Sequence, residues 1–198
     1  QRTAFYPVLT VVESGTAKTA LPFPRDDGSV AFARRLNLIQ PTSDPSPAGR
    51  TIIYCEAACD GDRTGVFVTC GQSQAANSGS VKHDCRRDVV KCNFLDSGCY
   101  KATDPLLGAS NLKGSLWTRL GDRLLDSGPY NRVVFAPIAV GGTFLSEWMP
   151  GGQRHRRLSP ALQRLRKAGA NVTGFLWQQG EAEASLTDMS AEDYKSGF

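Results

Sequence analysis

A serine with the surroundings of a nucleophile follows an apolar run in the first half of the sequence. Residues 66–70 read Val-Phe-Val-Thr-Cys, which predicts a buried strand, and Gly71-Gln72-Ser73 follows directly. A serine between a parallel strand and a helix start has its hydroxyl outside the sheet, among N–H groups that can hold an oxyanion. The same residues also fit an ordinary turn in which Ser73 only caps the helix. This motif alone leaves both interpretations open.

Two later apolar runs also end in polar or glycine-rich loops. Arg132 to Val140 is followed by Gly141-Gly142-Thr143, and Asn171 to Trp177 is followed by Gln178-Gln179-Gly180-Glu181. In an open α/β sheet, the loops after parallel strands lie side by side over a crevice where ligands bind. The three strand ends therefore predict one shared site.

The remaining elements complete an alternation of strands and helices. Helices are predicted at three places: around Leu116 to Leu125, around Pro160 to Ala168, and from about Ala191. In the first of these helices, the leucines at 116, 120 and 124 are predicted to mark the buried face. The alternation predicts an α/β fold with a mostly parallel sheet that helices cover on both faces, a three-layer α/β/α arrangement.

The first 62 residues contain no motif that indicates chemistry. Phe5 to Val12 and Thr51 to Cys55 are typical of strands, and the proline-rich residues 41–49 indicate a linker or surface loop. We interpret residues 1–62 as a small β-rich N-terminal appendage, either a partial module or an extension. Residues 63–198 then form the main α/β domain.

Composition bounds the class of protein. A chain of 198 residues with 40% hydrophobic and 21% charged residues can bury one substantial core. No apolar run approaches the roughly 18 residues that a membrane span needs. The basic residues concentrated in 154–167 fit the solvated face of a helix, because no aromatic residues are interleaved with them as in nucleic-acid sites. We therefore expect neither a membrane nor a nucleic-acid partner.

Six cysteines lie between residues 55 and 99. Their spacing does not match the paired two-residue spacing of a zinc ribbon, so no metal is predicted. Disulfides are the better interpretation, and they imply an exported protein, either secreted or periplasmic. Cys70 fits a free thiol packed as a small hydrophobe equally well, because it lies on the buried strand before Gly71. The sequence does not assign the pairing.

Three blocks of residues resemble the SGNH-type hydrolases, in their branch of sialate O-acetylesterase-like and plant-type carbohydrate acetylesterases. The blocks, in order, are Gly71-Gln72-Ser73, then Ala139-Val140-Gly141-Gly142-Thr143 with Glu147-Trp148 and Pro150-Gly151, and then Trp177-Gln178-Gln179-Gly180-Glu181. The resemblance covers roughly residues 64 to 198. It implies a flavodoxin-like fold and a serine esterase that removes acetyl groups from carbohydrates without a metal or organic cofactor.

The resemblance also implies catalytic roles. Ser73 would attack the acetyl carbonyl, and its own N–H, the N–H of Gly141 and the side-chain amide of Gln179 would form the oxyanion hole. An amide can donate hydrogen bonds to an oxyanion, which a carboxylate cannot. The sequence leaves open whether Gly141 or Gly142 supplies the second N–H, and we choose Gly141 because it directly follows the strand.

Further residues of the same loops are expected to bind the substrate or shape its site: Gln72, Gly142, Thr143, Trp148 and Glu181. Trp148 lies in a polar loop and is expected to stack on a sugar ring. Glu181 is expected to fix its loop by accepting hydrogen bonds.

The base that would activate the serine is missing from this sequence. In the family it resembles, the base is a histidine of an Asp-x-x-His motif after the third block, but both histidines here, His83 and His155, precede Gln179. We expect that the chain is a fragment truncated at its C-terminus, with very weak or no esterase activity by itself. The alternatives are a pseudoenzyme that binds acetylated sugars, one of the two histidines acting as base, or a lipase or arylesterase of the same superfamily.

Overall fold

The computed structural model describes residues 10–13 and 44–197. The described strands are β1 Thr10–Glu13, β2 Ile52–Ile53, β3 Thr64–Gly71, β4 Val89–Cys92, β5 Cys99–Lys101, β6 Arg132–Pro137 and β7 Gly174–Gln178. The described helices are α1 Cys55–Cys59, α2 Leu116–Asp126, α3 Leu145–Trp148, α4 Leu158–Lys167, α5 Glu181–Leu186 and α6 Ala191–Ser196. A short 3-10 helix, His155–Arg157, leads into α4.

The strands within the described residues form one mixed sheet, in the order β1-β7-β3-β6-β4-β5-β2. The central strands β7, β3, β6 and β4 are parallel, and the strands at both edges pair antiparallel. The predicted α/β character is confirmed. The two strands described from residues 1–62, β1 and β2, belong to opposite edges of this same sheet. Of the strand predicted over Phe5 to Val12, the part before Thr10 lies outside the described residues.

Apolar side chains pack on both faces of the central strands. Along β3, Val66 and Val68 belong to the same cluster as Leu165 of α4, whereas Phe67 belongs to the cluster that contains Trp117 of α2. This alternation follows from the two-residue period of a strand. It explains why β3 is apolar along almost its whole length, as buried parallel strands are. Within the described part of the chain, none of the helices has the length and apolarity that crossing a membrane requires.

The buried face of α2 lies one residue further along than predicted. The three predicted leucines, Leu116, Leu120 and Leu124, are only partly buried. Each precedes a buried residue: Trp117, Gly121 and Leu125. The reason is close packing at Gly121, where a Cβ atom would lie 2.8 Å from the Val89 side chain. The glycine brings the helix directly onto the sheet, and the leucines border that contact.

The chain continues along β3 after β6 ends at Pro137. Ile138 donates its N–H to the carbonyl of Thr69 at 2.9 Å, and Val140 donates to the carbonyl of Gly71 at 3.0 Å. Because β3, β6 and β7 are parallel, their carboxyl ends and the loops that follow lie at the same edge of the sheet.

Candidate active site

Gly71 allows the end of β3 to lie directly against the end of β7. Its φ is +124°, in the region that favours glycine, and a Cβ atom would lie 1.9 Å from the carbonyl oxygen of Gln178. Gln72 donates its backbone N–H to that same carbonyl at 3.0 Å. Together with the bond from Val140 to Gly71, this contact joins the loops after all three strands. The shared location predicted from the sequence is confirmed.

Ser73 lies in a tight turn rather than at the start of a helix. Residues 73–77 form turns, and the carbonyl of Ser73 accepts the N–H of Ala76 at 3.1 Å. Its side chain is partly buried, and its hydroxyl has no hydrogen-bond partner among the described residues. The interpretation of Ser73 as a mere helix cap is therefore wrong, because this hydroxyl accepts no backbone N–H and turns follow it.

The glycine loop after β6 offers a different N–H from the one we predicted. Gly141 donates its N–H to the hydroxyl of Ser110 at 2.9 Å, and a Cβ atom on Gly141 would lie 2.8 Å from Nδ2 of Asn111. Gly142 is exposed, with a φ of +71°. Within the described part of the chain, neither the N–H of Gly142 nor that of Ser73 has an acceptor. Gly142, the alternative that the sequence left open, thus has the available N–H.

The side-chain amide of Gln179, the other predicted oxyanion donor, faces the protein interior. The residue is 1% exposed, and its Nε2 lies 3.0 Å from both Oε1 of Gln72 and the carbonyl oxygen of Thr143. The same Nε2 donates to Glu183, and Oε1 accepts the hydroxyl of Tyr194 at 2.6 Å. An amide nitrogen has two hydrogens, and three acceptors already surround this one. Gln179 therefore joins the loops here, and the predicted oxyanion role is not what its contacts show.

Three predicted substrate contacts are buried side chains. Gln72 is 4% exposed, Thr143 is 1% exposed and Trp148 is 6% exposed. The indole N–H of Trp148 donates to Oγ1 of Thr143 at 2.9 Å, and its ring packs edge-on against Trp177 at 5.5 Å between centroids. These side chains contact one another and the neighbouring loops, because packing two indoles together buries a large apolar area. Their predicted contact with substrate stays a prediction.

Glu181 fixes its loop as predicted. It is the first residue of α5, after Gly180, and it is partly buried. Its Oε1 accepts the side-chain amide of Gln178 at 2.6 Å. The expected acceptor role of Glu181 is confirmed by this hydrogen bond.

Neither histidine forms a hydrogen bond with Ser73. Nε2 of His83 lies 2.8 Å from Oδ2 of Asp122, and Nδ1 of His155 lies 3.0 Å from the carbonyl oxygen of Trp148. The part of the chain that the structure describes thus contains no imidazole hydrogen-bonded to Ser73.

Two polar side chains of this site were missed in the sequence. Glu183 is 2% exposed, and its carboxylate accepts the N–H of Leu145 and the amide of Gln179. Tyr194 donates to Gln179 and accepts the indole N–H of Trp177 at 3.0 Å, and burial raises the pKa of this phenol to about 12. No sequence pattern identifies either residue, because Gln179 lies in the loop before α5 and not on the helix that carries Glu183.

One disulfide joins Cys92 to Cys99, across the paired strands β4 and β5. The prediction of disulfides is confirmed to that extent. The other four cysteines are free thiols. Cys70 is one of them, and burial raises the pKa of its thiol to about 12, as expected for a cysteine packed as a small hydrophobe.

Two groups of side chains within the described residues place potential metal ligands close together: Cys55, Cys92 and Cys99, and His83, Cys85 and Asp122. The disulfide removes two thiolates from the first group. In the second group, Asp122 already accepts hydrogen bonds from His83 and from the backbone N–H groups of Arg86 and Arg87. Neither group includes a residue of the strand-end site.

Comparison with known sequences identifies relatives of this chain. Residues 63–198 match the family described as "Carbohydrate esterase, sialic acid-specific acetylesterase". A probable carbohydrate esterase of Arabidopsis thaliana is 36% identical over 58 residues, which are 29% of this chain and 22% of that protein. The matched segment thus spans less than a quarter of the relative's length.

A solved structure has a similar fold. The X-ray structure of a protein from Arabidopsis thaliana, determined at 1.6 Å resolution, aligns with a TM-score of 0.52 and 17% sequence identity. The alignment covers 68% of this chain and 63% of that one. At this identity the similarity establishes the fold alone.

Proposed function

This chain belongs to the carbohydrate esterase family described as sialic acid-specific acetylesterases, and we propose that it hydrolyses acetyl esters of carbohydrates with Ser73 as the nucleophile. Family membership supports the type of bond and the class of substrate. One observation carries the choice of residue: the hydroxyl of Ser73 has no partner among the described residues, although the side chains of Gln72, Thr143 and Gln179 around the joined strand ends all do. A sialate as the particular sugar rests on the family description alone.

In the proposed reaction, Oγ of Ser73 attacks the acetyl carbonyl carbon and its proton passes to a base. The carbonyl oxygen becomes the oxyanion of a tetrahedral intermediate. When this intermediate collapses, the sugar oxygen leaves with a proton and the acetyl group stays on Ser73. Water then attacks the acetyl-enzyme, acetate leaves, and the serine hydroxyl is restored.

Two backbone donors are proposed for the oxyanion, the N–H groups of Ser73 and Gly142. Both lack an acceptor among the described residues, whereas the N–H of Gly141 is engaged with Ser110. Donors that are fixed before the reaction stabilise the developing charge without reorganisation, and each contributes about 3 kcal/mol. The hydrogen bonds that hold Gln72 and Val140 fix the loops that carry both donors.

The proposed base is a histidine of an Asp-x-x-His motif, which the family resemblance implies. His83 and His155 instead contact Asp122 and the backbone of Trp148. This arrangement favours a second candidate function, a protein that binds acetylated carbohydrates without hydrolysing them.

We also propose that the protein works outside the cytosol, either secreted or in a periplasm. The Cys92–Cys99 disulfide supports this location, because such bonds persist in oxidising compartments.

The proposal is tested on protein expressed from its complete reading frame, by measuring release of acetate from O-acetylated sugars, sialic acids included. We expect Ser73→Ala to abolish this release while the exposed control Ser80→Ala retains it. A fluorophosphonate should label Ser73, and a panel of longer acyl esters separates an acetylesterase from a lipase. If the protein binds the sugars but releases no acetate and is not labelled, the second candidate is correct. Unchanged turnover in Ser73→Ala would exclude the proposed nucleophile.

A further inference from the structure

Glu183 is a buried carboxylate that connects two of the strand-end loops. It lies in α5, just after β7, and is 2% exposed. One oxygen accepts the N–H of Leu145, the first residue of α3, and the other accepts the side-chain amide of Gln179. Among the described residues, no cation lies within ion-pair distance of this carboxylate. Its contacts are therefore hydrogen bonds in which both oxygens act as acceptors.

The carboxylate fixes which way the amide of Gln179 faces. Nε2 of Gln179 faces three acceptors, on Gln72, Thr143 and Glu183, whereas its Oε1 faces the Tyr194 hydroxyl. Rotating the amide by 180° would turn its oxygen toward three other oxygens and its N–H groups toward Tyr194. Buried oxygens facing one another without a hydrogen between them are costly, so only one orientation satisfies this network.

The network ends at the residue before the nucleophile. Oε1 of Gln72 accepts two hydrogen bonds, from Nε2 of Gln179 at 3.0 Å and from the N–H of Ala182 at 3.1 Å. The backbone N–H of Gln72 donates to Gln178 at 3.0 Å. Gln72 is thus held through both its backbone and its side chain, and the peptide that carries Ser73 follows directly.

We infer that Glu183 is a positioning residue of the esterase: through Gln179 and Gln72 it sets the orientation of Ser73 and of the glycine loop after β6. This inference rests on the proposed function, because it assigns Glu183 a part in the activity of Ser73. Glu183 itself touches neither the nucleophile nor its predicted substrate. Its carboxylate acts on the loop after β6 through Leu145 and on the nucleophile turn through Gln179.

Both oxygens of Glu183 are needed as acceptors, so an amide of the same size cannot replace the carboxylate. In Glu183→Gln, one position would hold an NH₂ group facing either the N–H of Leu145 or the NH₂ of Gln179. Two donors would then face each other in a buried place, and the Gln179 amide would lose its single satisfied orientation.

Asp104 offers a matched control. It is also a buried carboxylate, but its hydrogen bonds within the described residues, from His83, Ser115 and Thr118, all reach Oδ2. Asp104→Asn retains that acceptor oxygen, and none of these contacts involves the strand-end loops. The two substitutions remove the same charge from two buried positions. Asp104→Asn weakens the ion pair with Arg119 at 3.8 Å, and only Glu183→Gln loses an acceptor.

The experiment compares wild type, Glu183→Gln and Asp104→Asn by kcat and KM for an acetylated sugar, by the rate of fluorophosphonate labelling at Ser73, and by Tm. All rates are measured well below the Tm of each variant. A small misplacement of the reacting groups costs about a hundredfold in rate, so we expect kcat and the labelling rate of Glu183→Gln to fall by about 10-fold to 100-fold. KM should change by less than about threefold, because the substrate contacts are unchanged. Asp104→Asn should keep kcat within about twofold of wild type.

Glu183→Asp provides a second variant if Glu183→Gln does not fold. It retains two acceptor oxygens but is one methylene shorter, and we expect kcat between those of wild type and Glu183→Gln. A folded Glu183→Gln, or failing that a Glu183→Asp, with the kcat and labelling rate of wild type would overturn the inference. A lower Tm with unchanged kcat would also overturn it, since Glu183 would then have only a structural role. Failure of the proposed function is distinguished by the wild type itself, which would show neither acetate release nor labelling.

Discussion

Asp104 and Glu183 are both buried carboxylates, yet they organise their surroundings in different ways. Asp104 lies in the loop between β5 and α2, and its Oδ2 accepts backbone N–H groups from His83 at 2.8 Å and Ser115 at 2.9 Å. Its Oδ1 is buried and has no hydrogen-bond partner among the described residues. Burial raises the pKa of this carboxyl, although the hydrogen bonds and the nearby Arg119 oppose that shift.

Glu183, in contrast, uses both of its oxygens, and one of its donors is the side-chain amide of Gln179. That amide is itself bonded to Gln72 beside Ser73. Asp104 accepts at one oxygen, from two backbone N–H groups and the Thr118 hydroxyl, so it joins segments of the chain and stabilises the fold. Glu183 accepts from an amide whose other partners lie in the strand-end loops, so it also determines how that amide is oriented. Burial and charge alone therefore do not distinguish an acid that stabilises the fold from one that is proposed to position Ser73.

The largest expected effect on stability comes from removing each carboxylate entirely. Asp104→Ala leaves the N–H groups of His83 and Ser115 without their acceptor, which should lower the free energy of unfolding by about 3 kcal/mol. At a temperature where the variant remains folded, its kcat should equal that of wild type, whereas Glu183→Ala should lose both stability and kcat. Urea unfolding and steady-state kinetics check the two quantities. A large drop of kcat in folded Asp104→Ala would contradict the conclusion that Asp104 acts on stability alone.

A smaller effect is expected at the other end of the Gln179 amide. Tyr194→Phe removes the hydrogen bond to Oε1 of Gln179 and the acceptor of the Trp177 indole N–H, but leaves Glu183 in place. We expect a loss of about 1 kcal/mol in transition-state stabilisation, which is about fivefold in kcat. Tyr130→Phe is the control, since its ring packs on Phe67 and its hydroxyl has no hydrogen bond to the site within the described residues. If kcat of Tyr194→Phe fell as far as that of Glu183→Gln, the carboxylate would not be the dominant support of the amide.

The change with the smallest expected effect on activity concerns the pH dependence of stability near Asp104. Lys91 donates to the carbonyls of Thr103 and Pro105 on either side of Asp104, and burial, together with Arg50, lowers its pKa from 10.5 to about 7. The unfolded chain binds this proton more tightly than the folded chain does. The free energy of unfolding of wild type therefore rises with pH between about 7 and 10, and this gain is lost again as pH falls through about 7.

Lys91→Met should remove this contribution. The measurement is the free energy of unfolding of Lys91→Met minus that of wild type across this pH range, with the exposed Lys101→Met as control. The variant should gain stability relative to wild type as pH falls toward 7. A difference that is constant with pH would show that Lys91 titrates alike in the folded and unfolded chain.

The strand ends that form the site were predictable because their signals are local. Apolar runs that stop at Gly71, Val140 and Trp177 indicate strands, and parallel strands place their carboxyl ends together. The departures of Gly71 from ordinary backbone conformation and of α2 from its predicted face both depend on close contacts between distant segments. Such contacts produce no periodic pattern of residues in the sequence.

The roles of individual side chains were harder to predict, since a hydrogen bond depends on the partner that the fold brings near. The N–H of Gly141 is engaged because Ser110, 31 residues earlier, supplies a hydroxyl. Gln179 has the donor group that an oxyanion needs, but Gln72, Thr143 and Glu183 surround that group in the folded chain. Residue type gave the chemistry that each side chain could perform, and tertiary contacts decided which of those possibilities remained.

The order of the sheet has a consequence for how the site is assembled during synthesis. β7 lies between β1 and β3, although it is the last described strand to leave the ribosome. β3 can pair with β6 as soon as residues 132–137 have been made, but its other edge stays open until residues 174–178 follow. The carbonyl of Gln178 and the amide of Gln179, which hold Gln72, arrive with that strand. The turn that carries Ser73 therefore acquires these contacts only after residues 174–179 have been translated.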